Sequence, residues 1–426
     1  MKKMIIHGGK RLSGELTIGG AKNSTVALIP AAILADTPVR FDTVPHILDV
    51  HNLKIILESM NVHSTFENDV LTIDPTHIEE SELPSHAIKS LRASYYFMGA
   101  LLGRFNRATV TFPGGDNIGP RPIDQHIKGF KALGANVVEE NDSVFISTGT
   151  EGLHGARIFL DVVSVGATIN IILAAVKAHG TTTIENAAKE PEIIDLATFL
   201  NNMGAKVRGA GTDVIRIEGV DSLRSRATHT IIPDRIETGT YLSLAAALGD
   251  GILLKNVIPE HMESFTAKMI EMGVDLQINE DSIYVPRTTN LGPVRIKTAT
   301  YPGFATDLQQ PITPLLLRAT GNSVVIDTIY PQRTQHIAQL RKMGADIHVQ
   351  DNLIVVGHSS HLQGAHVEAG EIRSGAALMI AGLAANGTTE ISRADNILRG
   401  YDRVIEKLHT LGADVEIAAD EQISES

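Results

Sequence analysis

One motif recurs six times along the 426 residues of this chain. In each copy a helix-like stretch ends in a small turn and runs into alternating, strand-like residues. The turns are Met60-Asn61-Val62, Leu133-Gly134-Ala135, Met203-Gly204-Ala205, Met272-Gly273-Val274, Met343-Gly344-Ala345 and Leu411-Gly412-Ala413. Successive middle residues stand 68 to 73 positions apart, from 344 to 412 at the shortest and from 61 to 134 at the longest. A fixed period of this length restricts the fold before any single residue is considered. Each copy must be one supersecondary unit, and neighbouring copies must bury one another's apolar faces.

A second landmark keeps the same period. A helical run ends, and a small or polar turn leads into β-branched residues, as at Gly180-Thr181-Thr182-Thr183, Gly321-Asn322-Ser323-Val324 and Gly387-Thr388-Thr389-Glu390. Glycine after a helical run is a C-cap signal, and the residues that follow favour a strand. Upstream lie small-residue helical runs such as 24–35, 166–178 and 374–385. After each of the six turns the alternation predicts a hairpin. The unit reads strand–helix–strand–helix–hairpin, an α/β pattern. Six copies exceed one core, so two groups of three are expected, with the Ala- and Gly-rich helices buried. A solenoid is the competing architecture, but these units are long and carry two helices each.

Hydrophobic residues make up 43% of the chain while aromatics make up 4%, with no Trp, so the cores must be aliphatic. A net charge of −12 argues against a broad basic surface for nucleic acid. It leaves room for a local basic pocket. There is no cysteine, which excludes disulfides, thiolate metal sites and a thiol nucleophile. The first residues are too soon interrupted for a signal peptide, and the longest apolar runs fall short of the roughly 20 residues of a membrane span. A cytoplasmic protein without membrane insertion is expected.

The loops that open helices hold isolated charges among Gly, Ala and Pro. They include Gly19-Gly20-Ala21-Lys22-Asn23, Ser90-Leu91-Arg92-Ala93, Pro113-Gly114-Gly115-Asp116, Gly119-Pro120-Arg121-Pro122, Ala305-Thr306-Asp307, Glu371-Ile372-Arg373 and Asn396-Ile397-Leu398-Arg399. Free N–H groups and the positive dipole end suit helix starts to anions. Lys22, Arg92, Arg121, Arg373 and Arg399 would add charge for more than one phosphate or carboxylate. Asp116 and Asp307 could move protons in the same space. Singly, each is as readily a cap or a surface pair; the recurrence in equivalent loops is what favours a site. The Lys22 loop lacks the ending of a phosphate-binding Walker motif. His358 and His361 have no acidic partner at metal-ligand spacing.

At these loops the chain resembles the enolpyruvyl transferases, and within them those acting on UDP-N-acetylglucosamine. The matching segments span essentially the whole chain. They are Gly19 to Asn23, Leu91 to Ser94, Pro113 to Gly115 with Ile118 to Pro122, Ser164 to Thr168, Glu190 to Ile193, Pro233 to Gly239 and Arg399 to Tyr401. The resemblance implies a two-domain inside-out α/β barrel of six βαβαββ units, three per domain. One domain is then 22–232 and the other 1–21 with 233–426, with the active-site cleft between them. It implies addition–elimination: phosphoenolpyruvate is protonated at its methylene carbon, the sugar 3′-hydroxyl attacks, and phosphate leaves. No metal or organic cofactor is needed, and the partners are the two small-molecule substrates. The oligomeric state stays open.

By the same resemblance Lys22, Arg121 and Arg399 hold phosphoenolpyruvate, with Asn23 carried beside Lys22. Arg92, the run Arg121, Pro122, Ile123, Asp124 and Gln125, the turn Ser164, Val165 and Gly166, and Ile329 line the nucleotide-sugar site. Asp307 matches the acid that takes the hydroxyl proton, and Arg373 matches a further arginine of the site. Asp116 stands where most members have a cysteine that donates the proton. An aspartic acid donates only while protonated, and its ordinary pKa is about 3.9. Burial must raise it against the nearby cations. Fosfomycin alkylates the family's thiol, so insensitivity is expected here. Val162, Pro331-Gln332 and Glu371 depart from the family pattern. Three rival readings are the sister enzyme of shikimate metabolism, which has Lys-Ser where this chain has Lys22-Asn23, an inactive nucleotide-sugar-binding paralogue, and RNA 3′-phosphate cyclase.

Overall fold

The computed structural model describes residues 1–81, 83, 85–90, 92–112 and 118–420. Among them the chain divides into two compact units. One holds 1–19, 118–119 and 233–420; the other holds 20–112 and 120–232. Each unit has its own aliphatic core, drawn from 4–18 with 236–415 in the first and from 21–231 in the second. The chain leaves the first unit after Gly19 and returns to it at Pro233.

The third copy shows the repeat in full. Strand Arg157–Phe159, helix Val165–Ala175, strand Thr181–Glu185 and helix Pro191–Asn202 are followed by the hairpin Lys206–Arg208 and Val214–Glu218. The first two strands pair in parallel, and the second pairs antiparallel with the last hairpin strand. Six sheets are described, three in each unit; five have four strands in this arrangement, and that of Arg107–Thr111 has three, all antiparallel. The six turns that carry the period all place their middle residue in the left-handed region, from Asn61 at φ 58° to Gly204 at 104°. That conformation is open to Gly and tolerated by Asn, which explains the residue choice at each one.

The hairpin expected after Leu411-Gly412-Ala413 does not form from that copy alone. A single strand follows, Asp414–Ala419, and its antiparallel partner is the N-terminal strand Lys2–His7. That strand also pairs with Thr388–Ser392, so it lies inside the last sheet. The next N-terminal strand, Leu12–Thr17, pairs in parallel with Gly249–Lys255. In the second unit His229–Thr230 closes the sheet of Val39–Asp42 in the same sense.

The Ala- and Gly-rich helices are buried, as their composition predicts. Ser24 to Ala32, Phe97 to Gly103 and Ala167 to Ala175 fill the second unit. Ile236 to Leu248 and Ile372 to Leu383 fill the first. Small residues let these helices approach closely. A Cβ on Gly99 would lie 2.3 Å from the carbonyl oxygen of Asn170. The Gly99 N–H donates to the Asn170 side chain at 2.8 Å. The fifth copy differs. Its inner helix is reduced to a 3-10 turn, Thr306–Leu308, and the short helix Thr313–Leu316. Pro311 and Pro314 lack the N–H groups that a continuous helix would use. The turn left by this break carries Asp307.

Candidate active-site residues

In the second unit, Lys22 and Asn23 open the helix Lys22–Ala32, whose N-cap residue Ala21 offers no side-chain acceptor. Lys22 Nζ lies 3.3 Å from Oδ2 of Asp49, whose side chain is fully buried. One residue on, Ser24 donates to Asp195 at 2.6 Å. Asp195 is also held by His229 at 2.8 Å. Buried acids thus fix the start of this helix from beneath. Asp49 and Asp195 escaped the sequence reading. Asp49 sits in the first turn of its own helix, where an acid ordinarily complements the dipole.

Arg92 begins a 3-10 turn, Arg92–Tyr95. Its guanidinium donates to the backbone oxygen of Arg121 at 2.6 Å and lies 4.5 Å from the centre of the Tyr95 ring. The run from Arg121 to Ile123 enters the helix Asp124–Ala132, so Asp124 and Gln125 form its first turn. The Gln125 amide donates to Asp161 at 3.1 Å, and its oxygen accepts from the Asp161 N–H at 2.8 Å. This bracket holds the loop that leads into Ser164. Ser164 is the N-cap of the helix Val165–Ala175 and accepts from the Ala167 N–H at 3.1 Å. Val165 and Gly166 lie in the first turn, leaving N–H groups at a positive helix end. His126 packs against Gly166, where an added Cβ would come within 2.8 Å of its Nε2. Burial, and then the charge of Arg92, push the His126 pKa down to about 4, so the imidazole is neutral. Within this unit the structure therefore brings together Arg92, Arg121, Gln125 and the Ser164 turn.

In the first unit the centre is Asp307. Its Oδ1 accepts from Arg333 Nη1 at 2.8 Å, and its Oδ2 lies 3.7 Å from Arg373 Nη2. The carboxylate keeps 28% exposure while both arginines are buried, so it alone of the three is open to a substrate. Arg333 is held from behind by Glu371 through two parallel bonds of 3.1 Å. Burial disfavours the Arg333 cation, but Glu371 and then Asp307 outweigh that and raise its pKa. Glu371 also N-caps the helix Ile372–Ala384 by accepting from the Arg373 N–H at 3.1 Å. One carboxylate therefore sets both arginines that flank Asp307.

Arg373 lies over the Tyr401 ring at 5.3 Å. Its Nη1 is buried without a hydrogen-bond partner among the described residues. Ile329 follows Asp327, which accepts from the Ile329 N–H at 3.0 Å and from the Thr306 hydroxyl at 2.8 Å. Ile329 is thus tied to the turn carrying Asp307. Arg399 ends the helical turn Asp395–Leu398, two residues before Tyr401. Asp116 lies outside the described residues. Arg333 and Glu371, seen in sequence only near departures from a pattern, are the residues that hold the candidate base.

A family model described as EPSP synthase (3-phosphoshikimate 1-carboxyvinyltransferase) matches residues 6–408. A Lactiplantibacillus plantarum protein called UDP-N-acetylglucosamine 1-carboxyvinyltransferase 2 is 93% identical over 426 residues, the whole of both chains. A Lactobacillus acidophilus protein called UDP-N-acetylglucosamine 1-carboxyvinyltransferase is 66% identical over 418 residues, covering 98% of this chain and 97% of its own. Among solved structures, the enolpyruvyl transferase NikO of Streptomyces tendae superposes with a TM-score of 0.88 at 25% identity, covering 98% of this chain and 99% of its own. EPSP synthase of Acinetobacter baumannii superposes with a TM-score of 0.73 at 18% identity, which speaks to the fold alone. No helix among the described residues is long and apolar enough to cross a membrane.

Proposed function

This chain belongs to the EPSP synthase family of enolpyruvyl transferases, and from that premise we propose that it moves the enolpyruvyl group of phosphoenolpyruvate to the 3′-hydroxyl of UDP-N-acetylglucosamine. Phosphate is released, and the product enters peptidoglycan precursor synthesis. The observation that carries the reading is the 93% identity over the full length to a protein of that name. The shikimate reading rests on the family model, which covers enolpyruvyl transferases as a group, and on a fold shared at 18% identity.

The residues take these parts. Lys22, Arg121 and Arg399 bind the phosphate and carboxylate of phosphoenolpyruvate, with Asn23 beside Lys22. Fixed cations there oppose the charge that gathers on the leaving phosphate. Arg92, the run 121–125, the Ser164 turn and Ile329 receive the nucleotide sugar. The N–H groups at the Val165 helix start suit its diphosphate. Asp116 gives a proton to C3 of phosphoenolpyruvate, leaving a cation-like C2. The sugar 3′-oxygen bonds to C2 while Asp307 takes the hydroxyl proton. The Asp116 carboxylate then takes a proton back from C3, and the double bond re-forms as the C2–O bond to phosphate breaks. Two flanking guanidinium groups fix the direction of the Asp307 carboxylate. Its contribution is placement of the hydroxyl, with proton transfer completed as C2 becomes electrophilic. The uncommitted Nη1 of Arg373 is a donor that a bound anion can complete.

The test is phosphate release from phosphoenolpyruvate with UDP-N-acetylglucosamine or shikimate 3-phosphate as acceptor. Release with the first alone is expected, and Asp116→Ala and Asp307→Ala should each abolish most of it. Release with shikimate 3-phosphate instead, or full activity in both variants, overturns the reading.

A further inference from the structure

Within the first unit lies a buried cluster of charge that the reaction just described does not use. The Lys407 ammonium contacts Glu237 Oε1 and lies 3.2 Å from Asp402 Oδ2. The side chains are 12%, 2% and 9% exposed respectively, so Lys407 meets both acids with little water to help. Burial pushes the Glu237 carboxyl up to about 7 even with Lys407 against it, and Asp234 and Asp402 add to the push. A well-packed apolar trio would serve stability as well or better. The place of the cluster suggests a different purpose.

Glu237 Oε2 accepts from the N–H of Gly19 at 3.1 Å. Gly19 is the last residue of this unit before the chain departs, and it stands three residues before Lys22. Its carbonyl accepts from the Asp234 N–H at 2.9 Å, so the departing and returning segments are fastened together. Asp402 packs so closely that a Cβ on Gly19 would lie 2.7 Å from its Oδ2. Asp402 also stands three residues after Arg399, in the short segment between the helical turn Asp395–Leu398 and the helix Val404–Thr410. The intervening Tyr401 meets the Thr240 hydroxyl at 3.0 Å and carries Arg373 over its ring.

We propose that Lys407 is a positioning residue for enolpyruvyl transfer: by bridging Glu237 and Asp402 it fixes the Gly19 stem of the Lys22 loop and the Arg399–Asp402 segment in a single frame. The proposal rests on the reading that Lys22 and Arg399 bind phosphoenolpyruvate. It assigns to a residue that touches neither substrate an effect specific to one of them. Of the candidate nucleotide-sugar residues, Arg92, 122–125 and 164–166 belong to the other unit, as do Lys22 and Arg121 themselves, while Ile329 belongs to this one. The link to phosphoenolpyruvate runs through Gly19, three residues before Lys22, and through Arg399.

The experiment is steady-state kinetics of the full-length chain with both substrates varied, for wild type, Lys407→Met, Lys407→Arg and the charge-neutral double variant Glu237→Gln/Lys407→Met. Small displacements of a positioned group cost large factors, so KM for phosphoenolpyruvate should rise about tenfold or more in Lys407→Met. KM for UDP-N-acetylglucosamine should move much less, and Lys407→Arg should restore most of the loss. The double variant serves if loss of the buried ammonium stops Lys407→Met from folding. An unchanged KM for phosphoenolpyruvate, an equal rise in both KM values, or a fall in kcat alone overturns the proposal. So does failure of both methionine variants to fold, which would make the cluster purely structural. If wild type releases no phosphate with UDP-N-acetylglucosamine, the functional reading itself fails. If wild type is active and the variant keeps its KM, only the positioning role fails.

Discussion

Replacing Arg333 with methionine should damage stability and catalysis by separate routes that one further substitution can divide. Arg333 is 2% exposed and Glu371 is fully buried. Without the guanidinium, the Glu371 carboxyl is left buried with no cation bonded to it, and breaking a buried pair from one side costs about 3–5 kcal/mol. For a unit of this size that lowers its melting transition by on the order of 10 °C, measurable by calorimetry. Asp307 at the same time loses its 2.8 Å bond to Arg333, while the approach of Arg373 at 3.7 Å remains. A candidate base without that bond should lower kcat by about 10- to 100-fold. Adding Glu371→Gln removes the unpaired carboxyl while keeping an oxygen to cap the Ile372 helix. The double variant should regain about 2 kcal/mol or more. It should not regain kcat, because the bond from Arg333 to Asp307 is still missing. A double variant that recovers activity with stability would show that Arg333 supports only the fold. A single variant with wild-type melting would refute the buried-pair argument altogether.

Other substitutions probe separate parts of the account. Gly99→Ala must push a Cβ against the Asn170 carbonyl, so chemical denaturation should show a loss of about 1–3 kcal/mol. His126 is held neutral with a pKa of about 4, against 6.5 when unfolded. The unfolded chain therefore binds the extra proton, and stability falls as pH drops from about 6.5 to 4, by roughly 3 kcal/mol from this group. Denaturation of His126→Gln across that range should show a correspondingly flatter slope. Fosfomycin should leave no covalent adduct on the wild-type chain by mass spectrometry, whereas Asp116→Cys should acquire one together with time-dependent inactivation.

The repeat was legible because it is local. Each of the six turns needs a left-handed residue, and Asn or Gly marks it in the sequence. The helix starts holding Lys22, Gln125, Ser164 and Arg373 were legible for the same reason. What escaped detection depends on distant pairing. Nothing near Leu411 shows that the strand after it is completed by Lys2–His7, since the partner lies at the other end of the chain. Asp49 reads as an ordinary first-turn acid until the fold sets Lys22 beside it. Arg333 becomes informative only when Glu371, 38 residues on, is seen to aim it at Asp307. A sequence can show that a carboxylate stands in a loop. It does not show which buried cation decides where that carboxylate points.

The most direct test of the central claim is a single-turnover measurement with purified full-length protein, phosphoenolpyruvate and UDP-N-acetylglucosamine, following phosphate and the nucleotide-sugar product together. The account predicts one phosphate released for each enolpyruvyl ether formed at the 3′-oxygen, with both lost in Asp307→Ala. Phosphate released without the ether, or an ether formed at the wild-type rate by Asp307→Ala, would contradict it.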